Sequence, residues 1–178
     1  MVELAHFLVT HSVLVVAIQD SKLTEASNIP TFPGYTLVRR DKPIGPRTGD
    51  GGLFFIVNHT VLYSPIPSDH LFPGDSTTEH QAISKLFSIS IDGAQFHLYN
   101  IYIPPPTSCP PGFSPSLSPL LKLDAHNTIL MGDFNAHNPA WFSATQGDRA
   151  AARGAALINQ IDSSQLILLN QVTPTRLP

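Results

Sequence analysis

The sequence predicts a mixed α/β (α+β) domain in which helices cover the outer faces of mixed β-sheets. Short apolar runs rich in β-branched residues alternate with segments of helical periodicity, as is typical of layered folds. An Asp-Gly pair, Asp92–Gly93, separates two strand-like runs and indicates an antiparallel hairpin. With 178 residues, 42% hydrophobic and 13% charged, the chain has the composition of one globular domain spanning residues 1–178.

The first third of the chain predicts a helix followed by three strands. Apolar side chains recur at the spacing of one helix face over residues 2–11. Residues 13–18 form a continuous apolar run, which is typical of a strand buried on both faces. Turn-forming prolines and glycines precede residues 35–39 and residues 53–57, so both runs are expected to be strands.

The middle of the chain contains the hairpin and then a long loop. One strand-like run ends at Ile91, the Asp-Gly pair follows, and residues 95–102 form the second run. Residues 104–119 hold seven prolines and therefore predict a loop, with a short helix beginning near Leu120.

Three further elements are expected after this loop. Residues 128–131 form a short buried strand that stops at Gly132. Residues 150–161 contain good helix formers with apolar side chains on one side. Residues 166–169 are apolar and predict a last strand.

Cysteine content and hydropathy indicate where the protein works. The single cysteine, Cys109, excludes an internal disulfide. The longest N-terminal apolar run, Val13–Ile18, is too short for a signal peptide or a membrane span. We therefore expect a soluble intracellular protein, nuclear or cytoplasmic.

The overall charge is weakly acidic, with one basic exception. A formal net charge of −3 argues against a strongly electrostatic nucleic-acid binder. A local basic patch consists of Arg39, Arg40, Lys42 and Arg47. Taken alone, such a patch is more often a solvated loop than a binding surface.

The segment from Ile129 to Trp141 is the part of the sequence most suited to chemistry. A buried strand ends there, and Asp133 and Asn135 stand two residues apart at its end, where strand alternation would place them on one side. A carboxylate can accept a proton from a water that a carboxamide orients. The alternative is a turn in which these side chains bond to the backbone.

Gly132-Asp-Phe-Asn135 resembles the signature of the endonuclease/exonuclease/phosphatase (DNase I-like) superfamily. Its extension through His137, with Trp141 four residues later, is similar to endonuclease domains of non-LTR retrotransposon (LINE-type) reverse transcriptase polyproteins. Further blocks resemble the family in the family's order along nearly the whole chain. They are Ala17-Ile-Gln-Asp20-Ser-Lys-Leu23, Pro33-Gly-Tyr35, Arg39-Arg-Asp41, Gly51-Gly52, Asn100-Ile-Tyr102-Ile-Pro-Pro105, Arg153-Gly-x-x-Leu157, Leu169-Asn170 and Pro174-Thr-Arg176.

The resemblance implies a fold, a reaction and a set of site residues. The fold would be two mixed β-sheets packed as a sandwich, and the reaction would be Mg²⁺-dependent phosphodiester hydrolysis, with Mn²⁺ as a substitute ion. Asp133 would position and deprotonate the attacking water, and Asn135 would orient it. Tyr102 would lie near the scissile phosphate, and Asp20 would be the metal carboxylate.

The chain departs from the family pattern in three respects. Asp20 stands where the family has Glu, a side chain longer by roughly 1.5 Å. The early Asn and the closing Asp and Ser-Asp-His triplet have no counterpart, so the domain is expected to be incomplete at both ends. Ser68-Asp69-His70 spells that triplet at the wrong place in the order, and we expect it to be an exposed loop outside the site.

The resemblance therefore implies a DNA endonuclease that nicks target DNA for retrotransposon insertion, partnered by a downstream reverse transcriptase domain of the same polyprotein. Arg39, Arg40, Lys42, Arg47 and His137 are candidate DNA contacts. Two alternatives remain at this stage, a phosphodiesterase of the same fold acting on another substrate and a catalytically degenerate copy. We expect the four site residues to converge in one cleft, and this chain alone to nick DNA weakly or not at all with Mg²⁺.

Overall fold

The computed structural model describes residues 2–24, 26–40, 52–66, 82–109, 116–118, 127–141, 143 and 149–170. Short 3-10 turns occur at Pro106–Ser108 and Pro139–Trp141. The helices and strands are α1 (Val2–Thr10), β1 (Val15–Gln19), β2 (Tyr35–Arg40), β3 (Leu53–Asn58), β4 (Leu62–Ile66), β5 (Ala82–Ile91), β6 (Ala94–Tyr102), β7 (Thr128–Asp133) and α2 (Arg149–Asp162).

The described strands form two sheets. The first sheet has the order β1-β3-β2 and is antiparallel throughout. The second has the order β4-β5-β6-β7, in which β6 and β7 pair in parallel and the other pairs are antiparallel. Within the described strands, parallel pairing is thus confined to β6 and β7.

Three apolar clusters define the layers of the fold. One lies between α1 and the first sheet, one lies between the two sheets, and one lies between the second sheet and α2. Their buried members are, in that order, Leu8, Phe32, Tyr35, Phe54 and Ile56; Phe55, Val57, Val61, Ile89 and Leu98; and Tyr99, Ile101, Ile103, Leu117 and Leu157. This helix–sheet–sheet–helix arrangement confirms the expected fold class.

The central strand of the first sheet is β3, and its side chains are buried on both faces of that sheet. Phe54 and Ile56 face α1, whereas Phe55 and Val57 face the other sheet, as the period-two alternation of a strand requires. The strand predicted at residues 13–18 is β1, which begins at Val15. Apolar side chains pack on both of its faces, Val15 and Ala17 toward the other sheet and Val16 and Ile18 toward α1, although each is only half-buried at this edge of the sheet.

The Asp-Gly hairpin is confirmed. Asp92 and Gly93 both have positive φ values of 50° and 82°, and Ile91 pairs with Ala94 across the turn. Positive φ at both central positions is typical of a type I′ turn, whose twist matches that of the flanking strands.

Three other predictions differ from the structure. Strand β4 was not predicted, and it contains Pro65; it is an edge strand, where proline is tolerated. The strand expected to stop at Gly132 continues to Asp133. Residues 166–169 are not a strand, and the Ile167 side chain is 79% exposed. An extended segment becomes a strand only when a neighbouring strand pairs with its backbone.

Two findings concern the helices. The helix expected near Leu120 lies outside the described residues. No helix in the described part of the chain combines the length and the apolar character needed to cross a membrane.

Candidate active site

The parallel pair β6–β7 brings three of the predicted site residues together. Tyr102, the last residue of β6, pairs with Asp133, the last residue of β7. The Ile103 N–H donates to the Asp133 carbonyl oxygen (2.9 Å). The Asn135 side-chain amide donates to the Ile103 carbonyl oxygen (3.0 Å). The carboxyl ends of the two strands thus form one edge that holds Tyr102, Asp133 and Asn135.

The loop after β7 is a tight turn organised by Asp133. The Asn135 N–H donates to Asp133 Oδ1 (2.9 Å), and Asn135 has a positive φ of 44°. The side-chain alternation of β7 ends with the strand at Asp133 and does not extend to Asn135. The bond to Ile103 positions the Asn135 side chain instead. The turn that the sequence offered as an alternative is therefore present. It uses one carboxylate oxygen of Asp133, a residue that remains exposed to solvent.

Glycine is required at the end of β7. A Cβ atom at Gly132 would overlap the Ile101 carbonyl oxygen of the neighbouring strand. The close approach of β7 to β6 therefore depends on the absence of a side chain at this position.

The fourth predicted residue, Asp20, comes from the other sheet. It follows β1, whose last residue, Gln19, donates from Nε2 to Asn100 Oδ1 on β6 (2.6 Å). Asn100 has no exposed surface and also donates to the carbonyl oxygens of Ile18 (3.0 Å) and Phe54 (3.3 Å). Asn100 thus ties the end of β1 to the strand that ends in Tyr102.

The loop after Asp20 is held by a second close approach. Gly52, at φ +86°, would place a Cβ 2.6 Å from Ser21 Oγ, and its carbonyl oxygen accepts from the Ser21 N–H (3.1 Å). Asp20 itself has a φ of 48°. These contacts hold the residue after Asp20 against the residue that precedes β3. That the Asp20 carboxylate lies within about 12 Å of Asp133 stays a prediction.

The donor atoms at the site suit a hard cation. Among the described residues, no three His, Cys, Asp or Glu side chains gather as metal ligands. Mg²⁺ does not need such a cluster, because it usually takes one or two carboxylates together with waters and substrate phosphate oxygens. Asp20 and Asp133 supply carboxylates of this kind.

The basic patch is only partly described, and its described member has a structural role. Arg39 donates to the carbonyl oxygens of Thr24 (2.7 Å) and Ser27 (3.3 Å), so it holds the segment that follows Asp20. The Arg40 side chain, Lys42 and Arg47 lie outside the described residues. Their contact with DNA stays a prediction.

Residues 136–141 and 143 are held by hydrogen bonds among themselves and to the start of α2. The His137 N–H donates to the Ala150 carbonyl oxygen at the start of α2 (2.9 Å), and His137 Nδ1 contacts Ser143 Oγ. Trp141 Nε1 donates to the Ala136 carbonyl oxygen (3.1 Å), and its ring packs on the cluster beneath α2. Trp141 is therefore a packing residue, and His137 has loop partners. The predicted DNA contact of His137 stays untested.

Sequence reasoning missed two buried polar residues that hold the site together. They are Asn100 and Arg153, which are 0% and 5% exposed. Both belong to blocks that carried the family resemblance, which is the signal that could have pointed to them. The loop triplet that includes Asp69 and His70 lies outside the described residues.

The second half of the chain matches a protein family, and the fold matches a solved structure. Residues 96–178 match the family model described as endonuclease-reverse transcriptase. Among solved structures, the chain is similar to the endonuclease domain of TRAS1, a telomere-specific non-LTR retrotransposon, with a TM-score of 0.65 and 20% sequence identity. The match covers 98% of this chain and 69% of that chain. No curated protein matches the chain.

The chain has a DNase I-like endonuclease fold. The resemblance to retrotransposon endonuclease domains that the signature indicated is confirmed by the family model over the second half of the chain and by this fold over nearly all of it. In this endonuclease fold, the Gly132–Asn135 segment is the end of β7 and the turn after it.

Proposed function

We propose that this endonuclease fold hydrolyses phosphodiester bonds of DNA with the help of a divalent cation, and that it nicks target DNA for retrotransposon insertion. The observation that carries the proposal is the meeting of Tyr102, Asp133 and Asn135 at the carboxyl ends of the parallel pair β6–β7. General base, orienting amide and phenol are the groups needed to aim a water at a phosphate.

Each side chain has a role that its contacts support. Asp133 is exposed and uses Oδ1 to hold the turn, so its second oxygen is the one to accept a proton from water. Asn135 is fixed by its bond to the Ile103 carbonyl oxygen, and its own side-chain oxygen would orient that water. The water would give its proton to Asp133 and its oxygen would bond to phosphorus as the bond to the 3′ oxygen breaks. The 3′ oxygen would take a proton from solvent water, which leaves a 3′ hydroxyl end and a 5′ phosphate end.

The Tyr102 phenol would donate a hydrogen bond to a phosphate oxygen. Asp20 would hold Mg²⁺, or Mn²⁺ in its place, because oxygen ligands suit these ions. When bound, the cation neutralises charge on the phosphate. Asp20 has a shorter reach than the glutamate of the family pattern, which predicts weak Mg²⁺ binding and slow nicking.

The choice of DNA as substrate has separate support. The TRAS1 domain is named as an endonuclease of a retrotransposon, and the matching family model carries reverse transcriptase in its description. A reverse transcriptase domain of the same polyprotein is accordingly the proposed partner, since a 3′ hydroxyl end can prime DNA synthesis. The basic side chains at Arg40, Lys42 and Arg47 and the loop residue His137 are the proposed DNA contacts.

Nicking of a supercoiled plasmid tests the proposal. The purified chain should convert the plasmid to the nicked form slowly in Mg²⁺ or Mn²⁺, and Asp133→Asn should reduce that rate by about 10²–10⁴-fold, the usual contribution of a general base. The variant keeps the size of the side chain and an oxygen for the turn. Equal nicking by the wild type and Asp133→Asn would show that this site does not cut the DNA.

A second candidate is the same fold without catalysis. It is favoured by Asp20, which stands where the family pattern has the longer glutamate. Titration with Mn²⁺, followed by paramagnetic broadening of NMR signals, separates the two. Broadening around Asp20 and Asp133 supports the nuclease, whereas no specific broadening together with no nicking supports the degenerate copy.

A further inference from the structure

Arg153, on α2, is a buried cation that bonds to main-chain oxygens. It is 5% exposed. Its Nη1 donates to the carbonyl oxygens of Pro104 (2.7 Å), Asn135 (3.2 Å) and Phe134 (3.4 Å). Its Nη2 lies 3.5 Å from the Cys109 sulfur, which itself donates to the Pro104 carbonyl oxygen (3.6 Å).

These acceptors belong to the two segments that carry the site. Pro104 lies two residues after Tyr102, at the end of β6, whereas Phe134 and Asn135 form the turn after Asp133. The guanidinium therefore joins the segment of the phenol to the segment of the proposed general base. The direct bonds between these segments are Ile103 N–H to Asp133 O and Asn135 Nδ2 to Ile103 O, and Arg153 adds a third connection from behind, through α2.

Arginine is suited to this role, and the residue after it makes the approach feasible. A planar guanidinium holds its N–H donors in a fixed fork, and the two N–H groups of Nη1 are shared among the three carbonyl oxygens, of which that of Pro104 is the closest. Gly154 lets α2 come close, because a Cβ there would overlap the His137 carbonyl oxygen. The Arg-Gly pair thus combines close approach of α2 with donors aimed at the loop.

We infer that Arg153 is a positioning residue of this active site, which sets the relative placement of Tyr102 and Asp133 without touching the substrate. The inference rests on the proposed function for its effect on catalysis. It rests on contacts alone for its effect on the loop. A displacement of about 1 Å at a catalytic group can cost about 10²-fold in rate, so loss of these bonds should lower kcat rather than raise KM.

The test compares Arg153→Met with Arg149→Met, a matched change at an exposed arginine of the same helix. Cleavage of a fluorescent DNA duplex is measured in Mn²⁺, together with the ¹H–¹⁵N indole signal of Trp141, which is the one tryptophan of the chain. Arg153→Met should lower kcat by about 10²-fold with little change in KM, and should shift the indole signal because Trp141 Nε1 bonds to Ala136 beside the released turn. Arg149→Met should do neither.

Each outcome decides the matter. A folded Arg153→Met protein with an unchanged indole signal and unchanged kcat overturns the inference. If Arg153→Met does not fold, Arg153→Lys is used, which keeps the charge but places its nitrogen one bond short of the Nη1 position; wild-type kcat and indole signal in that variant overturn the inference. If the wild type cuts no DNA, the proposed function fails, and the indole signal still tests whether Arg153 holds the turn.

Discussion

Asp20 occupies a backbone conformation that favours aspartate over glutamate. Its φ of 48° lies in the left-handed region, where aspartate and asparagine are several-fold enriched among non-glycine residues. The family pattern has glutamate at this position, so the shorter side chain gains backbone compatibility and loses reach toward a metal. The substitution that weakens the proposed metal site thus has a local structural benefit.

Restoring glutamate should separate these two effects. In Asp20→Glu we expect tighter Mg²⁺ binding and faster plasmid nicking, together with a loss of about 1 kcal/mol in the free energy of unfolding from the left-handed backbone. Mg²⁺ titration of the nicking rate and thermal unfolding measure the two quantities. Asp20→Asn is the control: it suits the same backbone but should weaken metal binding with stability retained. Weaker nicking in Asp20→Glu than in the wild type would contradict the assignment of the metal carboxylate.

Gly132 should tolerate no side chain. In Gly132→Ala the new Cβ would meet the Ile101 carbonyl oxygen, and we expect a loss of about 3 kcal/mol or more in the free energy of unfolding, because neighbouring strands must separate. Gly34→Ala is the matched control, since Gly34 has a φ of +82° but no atom within 4 Å of the added Cβ. Urea unfolding of both variants measures the difference. Equal losses in the two would show that backbone strain, and not strand contact, explains the glycine.

Several residues of the family blocks turn out to be structural rather than chemical. Gly52 and Gly154 permit close approaches, and the Tyr35 hydroxyl donates to the carbonyl oxygens of Leu8 and Val13 at the end of α1. From sequence alone these positions could be recognised but not explained. Their partners lie at distant points of the chain, and only the folded backbone brings them together.

At the scale of elements, the connection between the sheets depends on one buried side chain. Asn100 bonds to β1 through Ile18 and Gln19 and to β3 through Phe54. All three contacts join it to the other sheet, within an apolar sandwich. A buried amide whose donors and acceptor are satisfied fixes the register between packed layers, which apolar contacts alone specify poorly.

Asn100→Ala should therefore weaken the sandwich. We expect a loss of about 2–4 kcal/mol in the free energy of unfolding, since Gln19 and two carbonyl oxygens lose a partner. Asn58→Ala is the control. Asn58 is less buried, and within the described part of the chain its Oδ1 accepts from the exposed Thr60. Its loss should stay below about 1 kcal/mol. Chemical denaturation measures both, and similar small losses would mean that Asn100 does not hold the sheets together.

Prediction of the elements succeeded where the signal was local. The hairpin at Asp92–Gly93 and helix α2 depend on turn chemistry and helical periodicity within a few residues. The edge strand β4 was missed because a proline is read as a loop signal unless the pairing is known. The strand expected at residues 166–169 was wrong because its apolar composition cannot show whether a neighbouring strand is available.

At the scale of the whole molecule, burial in the layer between the second sheet and α2 changes a titration. Desolvation raises the pKa of Tyr99 to about 12 from its ordinary 10.0. Between these values the folded state keeps a proton that the unfolded state releases. Stability should consequently fall as pH rises from 10 to 12, by at most about 1.4 kcal/mol per pH unit.

Tyr99→Phe should remove this part of the pH dependence. Unfolding free energies of the wild type and the variant are measured by denaturant titration at several pH values from about 9 to 12, and the wild type should lose stability relative to the variant over this interval. The difference between the two proteins is the relevant quantity, because other groups titrate in both. Parallel curves over this interval would contradict the raised pKa.

Much of the candidate site could be predicted, because the family pattern fixes which blocks end at the same sheet edge. Tyr102, Asp133 and Asn135 were expected there and meet there. The supporting residues were not expected. Arg153 lies in a block that resembles the family, but the sequence does not show what it bonds to, since its acceptors are backbone atoms that every residue possesses.

The parallel pairing of β6 and β7 has a consequence for the order of folding. The β5–β6 hairpin closes over the two residues Asp92 and Gly93, whereas pairing Tyr102 with Asp133 closes a long intervening segment. Loop-closure entropy delays such non-local contacts. We expect the hairpin to form first and the two strand ends that carry the site to join late. A nascent or partly unfolded copy of this protein would then have its hairpin in place before the strand ends of the proposed site meet.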